Sequence, residues 1–405
     1  AEARAQSGLM GNWAEVEVDD GRLRLAATGR TNELVKGLAD APPLFLQGLD
    51  AGFLERYAGV GAGSASVPVT PKYWSNVTLS PDMPSVGTQM AQMYERATGR
   101  AVDGVFVLDP AAIASLLDLT GPVTLPESGV TLETSTAEEL LLRGQYDREE
   151  EDREALLEEA TNATVDQLLR TTLPGPQVIA AELGPSAQGG HLSAWAARPA
   201  EQRLLELVGM DASLPRLDGS DGLGVTFDNA AANKIDAYMR ASVAYVANAD
   251  ERNGSVSASL TVTLQNTAPS SGLPDYVIGN LVDLPPGTAR TRVTVLSALD
   301  FETVTLDGSP AGMNVGSEGD WSAFSRTVDV PAGATVTLVL QMRGLVDSGR
   351  YRLVVRPQPT ANPTNWSITY RTDGADVEYA GRVDRRLVLT RGEVTAYRHE
   401  PAPVR

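Results

Sequence analysis

Apolar and polar positions follow two different rhythms along this chain. Up to about residue 245, apolar residues recur at helical spacing between short extended runs. Beyond it they alternate with polar ones, and Val, Thr, Gly and Pro dominate. The densest stretch is Val102 to Val123, VDGVFVLDPAAIASLLDLTGPV. Val105 to Leu108 form an apolar run that predicts a strand covered on both faces. Asp109 supplies a helix cap, Pro110 the first helical position, Ile113, Leu116 and Leu117 a packing face, and Gly121-Pro122 a stop.

The same reading extends in both directions. Trp13 to Val18 and Arg22 to Leu25 alternate across Asp20-Gly21, which predicts a hairpin with Ala14, Val16, Val18, Leu23 and Leu25 turned inward. Leu34 to Pro71 carries a weaker pattern. Its GVGAGSAS stretch lacks the Lys-Ser/Thr of a phosphate loop and reads as a flexible loop. Lys72 to Leu79 reads as a strand or strand edge, and the segment from Ser80 to Gly99 as a helix carrying Val86, Met90, Met93, Tyr94 and Ala97. Ser135 and Glu138 have capping-box spacing for a short helix ending near Arg143. A longer helix is expected from Glu149 to Leu169, with Leu156, Leu157, Ala160, Ala163 and Leu168 on one face. Pro174 to Gly190 reads as a connection, Pro199 to Val208 as a helix and Leu223 to Phe227 as a strand. From Ser242 onward, runs such as SVSASLTVTL, TRVTVLSAL and TVTLVLQM predict an antiparallel immunoglobulin-like sandwich with Trp321 and Trp366 in its core.

Composition narrows the chemistry. A chain of 405 residues with 42% hydrophobic residues is folded and long enough for two or three cores. Fifty-two acidic residues against 33 basic ones give a net charge of -19, which repels a phosphate backbone and argues against general nucleic-acid binding. No cysteine is present, so disulfides, thiolate nucleophiles and cysteine metal sites are excluded. Lys36, Lys72 and Lys234 are the only lysines. The other basic residues are arginines, whose planar forks suit phosphate and carboxylate. No run of apolar residues is long enough to span a bilayer, and the opening AEARAQSG reads as cut from a longer chain with a membrane anchor upstream.

The two histidines, His191 after a Gly-Gly pair and His399 near the end, lend a Ser-His-Asp triad little support and read as surface residues. Neither a zinc-protease, nor a calcium-loop, nor a dinucleotide motif occurs. What stands out is a set of arginines at element ends: Arg4 and Arg30 flanking the hairpin, then Arg143, Arg148 and Arg153 around the junction of two helices. Several such forks converging on one cleft would neutralise a pyrophosphate.

The order of these pieces resembles the LytR-CpsA-Psr domain. The closest likeness is to a divergent group of actinobacterial envelope proteins, with strings similar to AEARAQSG, NVTLSPDMP, VDGVFVLDPAAIASLLDLTGPV and FDNAAANKIDAYM. The resemblance covers roughly residues 1 to 240. It implies an α/β fold, an α-β-α layered domain at 1–240, to which the sandwich adds a second domain at 241–405. It also implies an extracytoplasmic, membrane-anchored protein of cell-wall biogenesis that transfers a glycan from a polyprenyl pyrophosphate carrier. Its expected partners are a lipid-linked glycan or cell-wall polysaccharide, and no nucleic acid. Arg4 in RAQS and Arg30 in GRTN fall on family arginines, Asn76 on the Asn before the next helix, and Arg153 on the second Arg of the helix start, while Arg143 lies beside another. In the family these arginines hold the pyrophosphate, so Arg4, Arg30, Arg143 and Arg153 are the expected ligands, with Arg148, Asn76, Asp82 and Gln6 as further candidates. The family also uses an acidic residue to help bind Mg2+. Here Gln6 replaces one Asp, and Thr31 and Asn32 stand at the second acidic position, leaving Glu2, Asp82 and Asp147 as candidate metal ligands.

Two other readings remain open at this stage. One is a glycoside hydrolase using two carboxylates from Glu2, Asp82, Asp109, Asp147, Asp228 and Asp236. The other is a non-catalytic envelope binding or scaffold protein whose arginines are paired with the acidic run DREEEDRE.

Overall fold

The computed structural model describes residues 2–20, 22–372 and 375–398. His399 lies outside the described residues. Helices hold 31% of the chain and strands 35%, in mixed sheets, so the protein is of the α and β class. It divides into two compact units. A helical unit comprises Ser7–Leu49 and Tyr57–Ala212, and a β-sheet unit comprises Ala1–Gln6, Asp50–Arg56 and Ser213–Arg405.

The helical unit opens with the hairpin of β1 (Asn12–Asp19) and β2 (Arg22–Arg30). A bulge between Glu15 and Val16 shifts the register and re-aims the side chains beyond it. Ala14, Val16, Val18 and Leu23, expected inside, are exposed; on β1 it is the opposite face, with Trp13 and Glu15, that is half-buried. Trp13 instead meets Tyr94 edge-on at 5.6 Å between ring centroids. Helix α1 (Thr31–Asp40) follows directly, where the sequence showed only a weak pattern, and buries Leu34 and Leu38. Helix α2 (Ala51–Tyr57), which up to Arg56 belongs to the β-sheet unit, runs into a π turn at Ala58–Ala62, so part of the glycine-rich stretch is wound rather than loose. Pro71–Leu79 forms a 3₁₀ helix in place of the expected strand. Pro71 starts it, and Tyr73, Trp74 and Val77 are buried at helical spacing.

Helix α3 (Met83–Thr98) is capped by Asp82, buries Val86, Met90, Met93 and Tyr94, and ends at Gly99 in the left-handed conformation. Among the described residues, strand β3 (Gly104–Leu108) pairs only with β6 (Leu192–Ala196). It is not covered on both faces, since Phe106 and Leu108 are exposed. Helix α4 (Pro110–Thr120) begins as expected, with Asp109 accepting from the amides of Ala111 and Ala112. The short pair β4 (Val123–Thr124) and β5 (Thr131–Leu132) leads to α5 (Thr134–Leu142). Its cap residue is Glu133 and makes no side-chain cap bond, so the Ser135–Glu138 capping box does not form. After a 3₁₀ turn at Gly144–Asp147 comes the long helix α6 (Glu150–Arg170). Leu117, Val123, Leu125, Leu132, Ala137, Leu156 and Ala160 form one apolar cluster, which ties α4, β4, β5, α5 and α6 together. The expected connection before β6 contains α7 (Pro176–Gln188), and α8 (Pro199–Val208) follows that strand.

The β-sheet unit contains β7 (Asp221–Asn229), β8 (Met239–Asp250), β9 (Ser255–Asn266), the short α9 (Asp275–Ile278), β10 (Ala289–Ser297), β11 (Asp300–Leu306) and β12 (Ser309–Pro310). Then come β13 (Asn314–Glu318), β14 (Trp321–Val330), β15 (Thr335–Leu345), β16 (Arg352–Arg356), β17 (Asn365–Thr372), β18 (Ala375–Arg382), β19 (Leu387–Thr390) and β20 (Glu393–Ala396). One seven-stranded sheet has the order β13-β14-β10-β7-β16-β19-β20 and the other β12-β11-β15-β9-β8-β17-β18. All pairs are antiparallel except β7 with β16 and β8 with β17. Aromatic side chains of the two sheets meet, half-buried Phe301 against buried Phe324 and buried Tyr351 against buried Tyr370. Trp321 and Trp366 are buried, as their sequence context suggested.

The units part at 212/213, whereas the change of rhythm suggested 240/241, a point inside β8. Strand β7 accounts for the difference: it is buried along its whole length and takes both partners, β10 and β16, from later in the chain. Its apolar run announces a strand but not the strands it will pair with.

Candidate functional site

The helical unit brings Arg30 to the first turns of α6, which carry Arg153, while Arg143 lies at the end of α5, before the 3₁₀ turn that leads to α6. Arg30 ends β2, and its fork pairs with both carboxylate oxygens of Glu154 on the first turns of α6, 124 residues later. Asn12, from the facing strand, donates to the Leu157 carbonyl at 3.0 Å and to Thr161 Oγ1 at 3.1 Å, fixing the hairpin against the same helix. Arg30 holds the Glu154 carboxyl below its ordinary pKa, and Arg153 adds to the effect. Arg153 is buried, with its guanidinium 5.9 Å from the centroid of the Tyr146 ring in the 3₁₀ turn. Arg143, at the end of α5, is about one-third exposed and pairs with Glu139 at 2.6 Å. Arg148 and Asp147 are exposed on the link between the 3₁₀ turn and α6. These arginines stand among a larger number of carboxylates, and Arg30 and Arg143 are each paired with one of them.

Arg4 belongs to the β-sheet unit and is buried. Its guanidinium donates to the carbonyls of Ala3 and Asn229, at 2.9 and 3.0 Å, and pairs with Glu2 at 3.2 Å. Glu2 also pairs with Lys234. The Ala3 amide donates to Asp236, the Ala5 amide donates to Asp228, and Gln358 donates to the Arg4 carbonyl. Arg4 therefore anchors the first residues of the chain within this unit. Gln6 is fully buried there and accepts from Arg356 at 3.4 Å. In the helical unit, Asn76 donates to the Val60 carbonyl, and Asp82 accepts from the amide and hydroxyl of Ser85.

The candidate metal ligands do not assemble. Glu2 is committed to two cations, Asp82 is a helix cap and Asp147 is exposed. Among the described residues no group of three or more His, Asp or Glu side chains is placed to hold a metal ion. Of the carboxylates considered for hydrolysis, Asp228 and Asp236 are buried in the β-sheet unit. Burial pushes Asp228 up to about 6 against the pull of Arg292, Arg4 and Arg56, and it raises Asp236 too.

One pair escaped the reading of the sequence. His191, expected at the surface, is half-buried: its Nδ1 lies 2.6 Å from Asp109 Oδ2, and the two backbones are joined by Asp109 N–H donating to the His191 carbonyl. Glu138 on α5 feels the charges of Asp109, His191 and Arg143, and its carboxyl is raised, first by desolvation and next by Asp109. The available signal was the Gly189-Gly190 turn directly before the imidazole.

Residues 1–146 match a family described as "Protein of unknown function (DUF4012)". No curated protein matches the chain. Among solved structures, a putative nutrient binding protein from Legionella pneumophila is similar over 36% of this chain and 54% of its own length, at 10% identity and a TM-score of 0.24. An M1 zinc metallopeptidase from Deinococcus radiodurans is similar over 36% of this chain and 39% of its own, at 11% identity and a TM-score of 0.21. The chain thus spans about half or less of the solved structures it matches.

Proposed function

We propose that the helical unit binds the pyrophosphate of a polyprenyl-linked glycan at the junction of β2, α5 and α6, and passes the glycan to a cell-envelope acceptor. The observation that carries this reading is the meeting of Arg30 with the start of α6 beside Arg153, with Arg143 at the adjoining helix end. Arginine forks match phosphate oxygens as well as carboxylates, so a pyrophosphate would exchange with Glu154 for Arg30. The acceptor hydroxyl would attack the sugar-bearing phosphorus. A new P–O bond forms as the bridging P–O bond breaks, and polyprenyl phosphate leaves with the electron pair. The arginines stabilise the charge that develops.

In this reading the helical unit is a divergent LytR-CpsA-Psr-like α-β-α domain, the β-sheet unit an immunoglobulin-like sandwich, and the protein an extracytoplasmic one tethered to the membrane. No described helix is long and apolar enough to cross a bilayer. Arg4 then serves the β-sheet unit, and Arg30, Arg143 and Arg153 carry the anion. No step is routed through Mg2+: Glu2 pairs with two cations and Asp82 caps α3, which leaves Asp147 alone of the three candidates.

Calorimetric titration of geranylgeranyl pyrophosphate, with and without Mg2+, tests the site. Wild type should bind, and an Arg30→Ala, Arg143→Ala double variant should lose at least tenfold in affinity, equal to about 1.4 kcal/mol. Absence of binding to folded wild type, or unchanged affinity in the double variant, overturns the assignment.

A further inference from the structure

Between the β4–β5 hairpin and α6, within the helical unit, the chain leaves a cleft of about 570 Å³. Small organic ligands occupy pockets of roughly 300–1,000 Å³, so the size fits one. On α6 the lining runs from Ala155 to Arg170, about 22 Å of helix at ~1.5 Å per residue. The walls are tied in place. The Glu159 carboxylate accepts the amides of Glu127 and Ser128, the latter at 3.2 Å, which holds the hairpin turn to the helix. Gln167 Nε2 donates to the Thr120 carbonyl at the end of α4, at 2.9 Å. Val123, which lines the cleft, belongs to the apolar cluster beneath, and Ala163 packs against that cluster.

The groups facing the cleft are mostly hydrogen-bond acceptors. Four carboxylates and one arginine line it, which repels an anion, and none of Arg30, Arg143 and Arg153 is among them. Two of the carboxylates are already engaged, Glu159 by the hairpin amides and Asp166 by Arg170 at 3.3 Å. Glu127 and Glu158 are exposed. The buried acceptor is uncharged: Asn162 Oδ1 is enclosed and receives no hydrogen bond from the described residues. Gln167, with its amide nitrogen given to Thr120, adds a second uncharged oxygen. A ligand that serves all of these must be rich in donors. A peptide brings as many acceptors as donors, and an ammonium ion is drawn to the exposed carboxylates more than to the enclosed amide. A polyol donates from every hydroxyl and serves both.

We propose that this cleft binds a short neutral oligosaccharide, with Asn162 Oδ1 accepting from one hydroxyl and Glu127 and Glu158 from others. The site does not depend on the pyrophosphate reading.

Calorimetric titration of the full chain with cellotriose, chitotriose and mannotriose tests it, with spermidine as a cationic probe. At least one trisaccharide should bind with a Kd of about 1 mM or tighter. Asn162→Leu, close in size and a better helix former, should keep the fold and weaken that trisaccharide at least tenfold. Ala155→Trp, at an exposed position that lines the cleft, should block it without disturbing the core. The Arg30→Ala, Arg143→Ala double variant should bind the trisaccharide as wild type does, so this site and the pyrophosphate site fail separately. Absence of binding by all three trisaccharides overturns the inference, as does wild-type affinity in folded Asn162→Leu or Ala155→Trp. Spermidine binding more tightly than any trisaccharide would make the cleft a cation site and overturns it as well.

Discussion

Tyr245 on β8 donates its hydroxyl to Asp221 on β7 at 2.6 Å, joining one seven-stranded sheet to the other through a fully buried carboxylate. Tyr351 donates to the same oxygen, and the Gly222 amide donates to the other at 2.7 Å. Tyr245→Phe removes one of the three donors without opening a large void. The cost should be about 1–3 kcal/mol, the usual penalty for depriving a buried polar group of a partner. Chemical denaturation reads it directly, and an unchanged midpoint would show that the bond contributes nothing.

Burial raises Asp221 to about 6 and Asp228 to about 6, against an ordinary 3.8. The folded state then binds more protons than the unfolded one between these values, so stability falls as pH rises from about 4 to 6 and recovers as pH is lowered through that window. For Asp221 alone the difference is about 3 kcal/mol. Glu154 and Asp329 have lowered values and act the other way, losing their contribution at still lower pH. Thermal melts should therefore peak near pH 4 and decline to a plateau above about pH 6. Asp221→Asn should flatten the slope between about pH 4 and 6, and a slope identical to wild type would remove Asp221 from the account.

Gly87 sits in the middle of α3, where alanine is favoured over glycine by about 1 kcal/mol. A Cβ there would stand 2.3 Å from Trp195 Cβ and 2.4 Å from its Cγ. Gly87→Ala should consequently destabilise the helical unit by about 1–3 kcal/mol, because overpacking outweighs propensity. A raised melting temperature would mean that β6 can withdraw from α3 without loss.

Local chemistry was well marked in the sequence. Asp82 and Asp109 start helices, Gly99 and Gly121 end them, and Trp321 and Trp366 are core residues, since each of these roles depends on neighbours a few positions away. Relationships set by distant partners were not marked. The exposure of Phe106 follows from β3 having a single partner, the outward turn of Val16 from the face of β1 with Trp13 being the one packed against Tyr94, and the place of β7 from strands lying beyond it. The candidate site divides in the same way. Arg143 and Arg153 were visible as arginines at helix ends, while the carboxylate in the grip of Arg30 and the imidazole held by Asp109 depend on segments far away in sequence.

The Arg30–Glu154 pair gives the pyrophosphate reading its most direct trial, because the carboxylate is a built-in competitor. Both side chains are about one-third exposed, so the pair itself contributes under about 1 kcal/mol to stability, and Glu154→Gln should leave the fold intact. In the wild type an anion must displace Glu154 to engage Arg30; in the variant the fork is no longer neutralised. Geranylgeranyl pyrophosphate should bind Glu154→Gln several-fold more tightly than wild type, and the gain should vanish when Arg30→Ala is added. The lowered pKa of Glu154 sets the pH dependence: its carboxylate persists through the ordinary carboxylate range and protonates only below it, so the advantage of the variant should hold from pH 7 down to about pH 5. Weaker binding by Glu154→Gln would mean that Glu154 positions Arg30 for the ligand instead of competing with it. Equal binding in both proteins would place the anion away from Arg30 altogether.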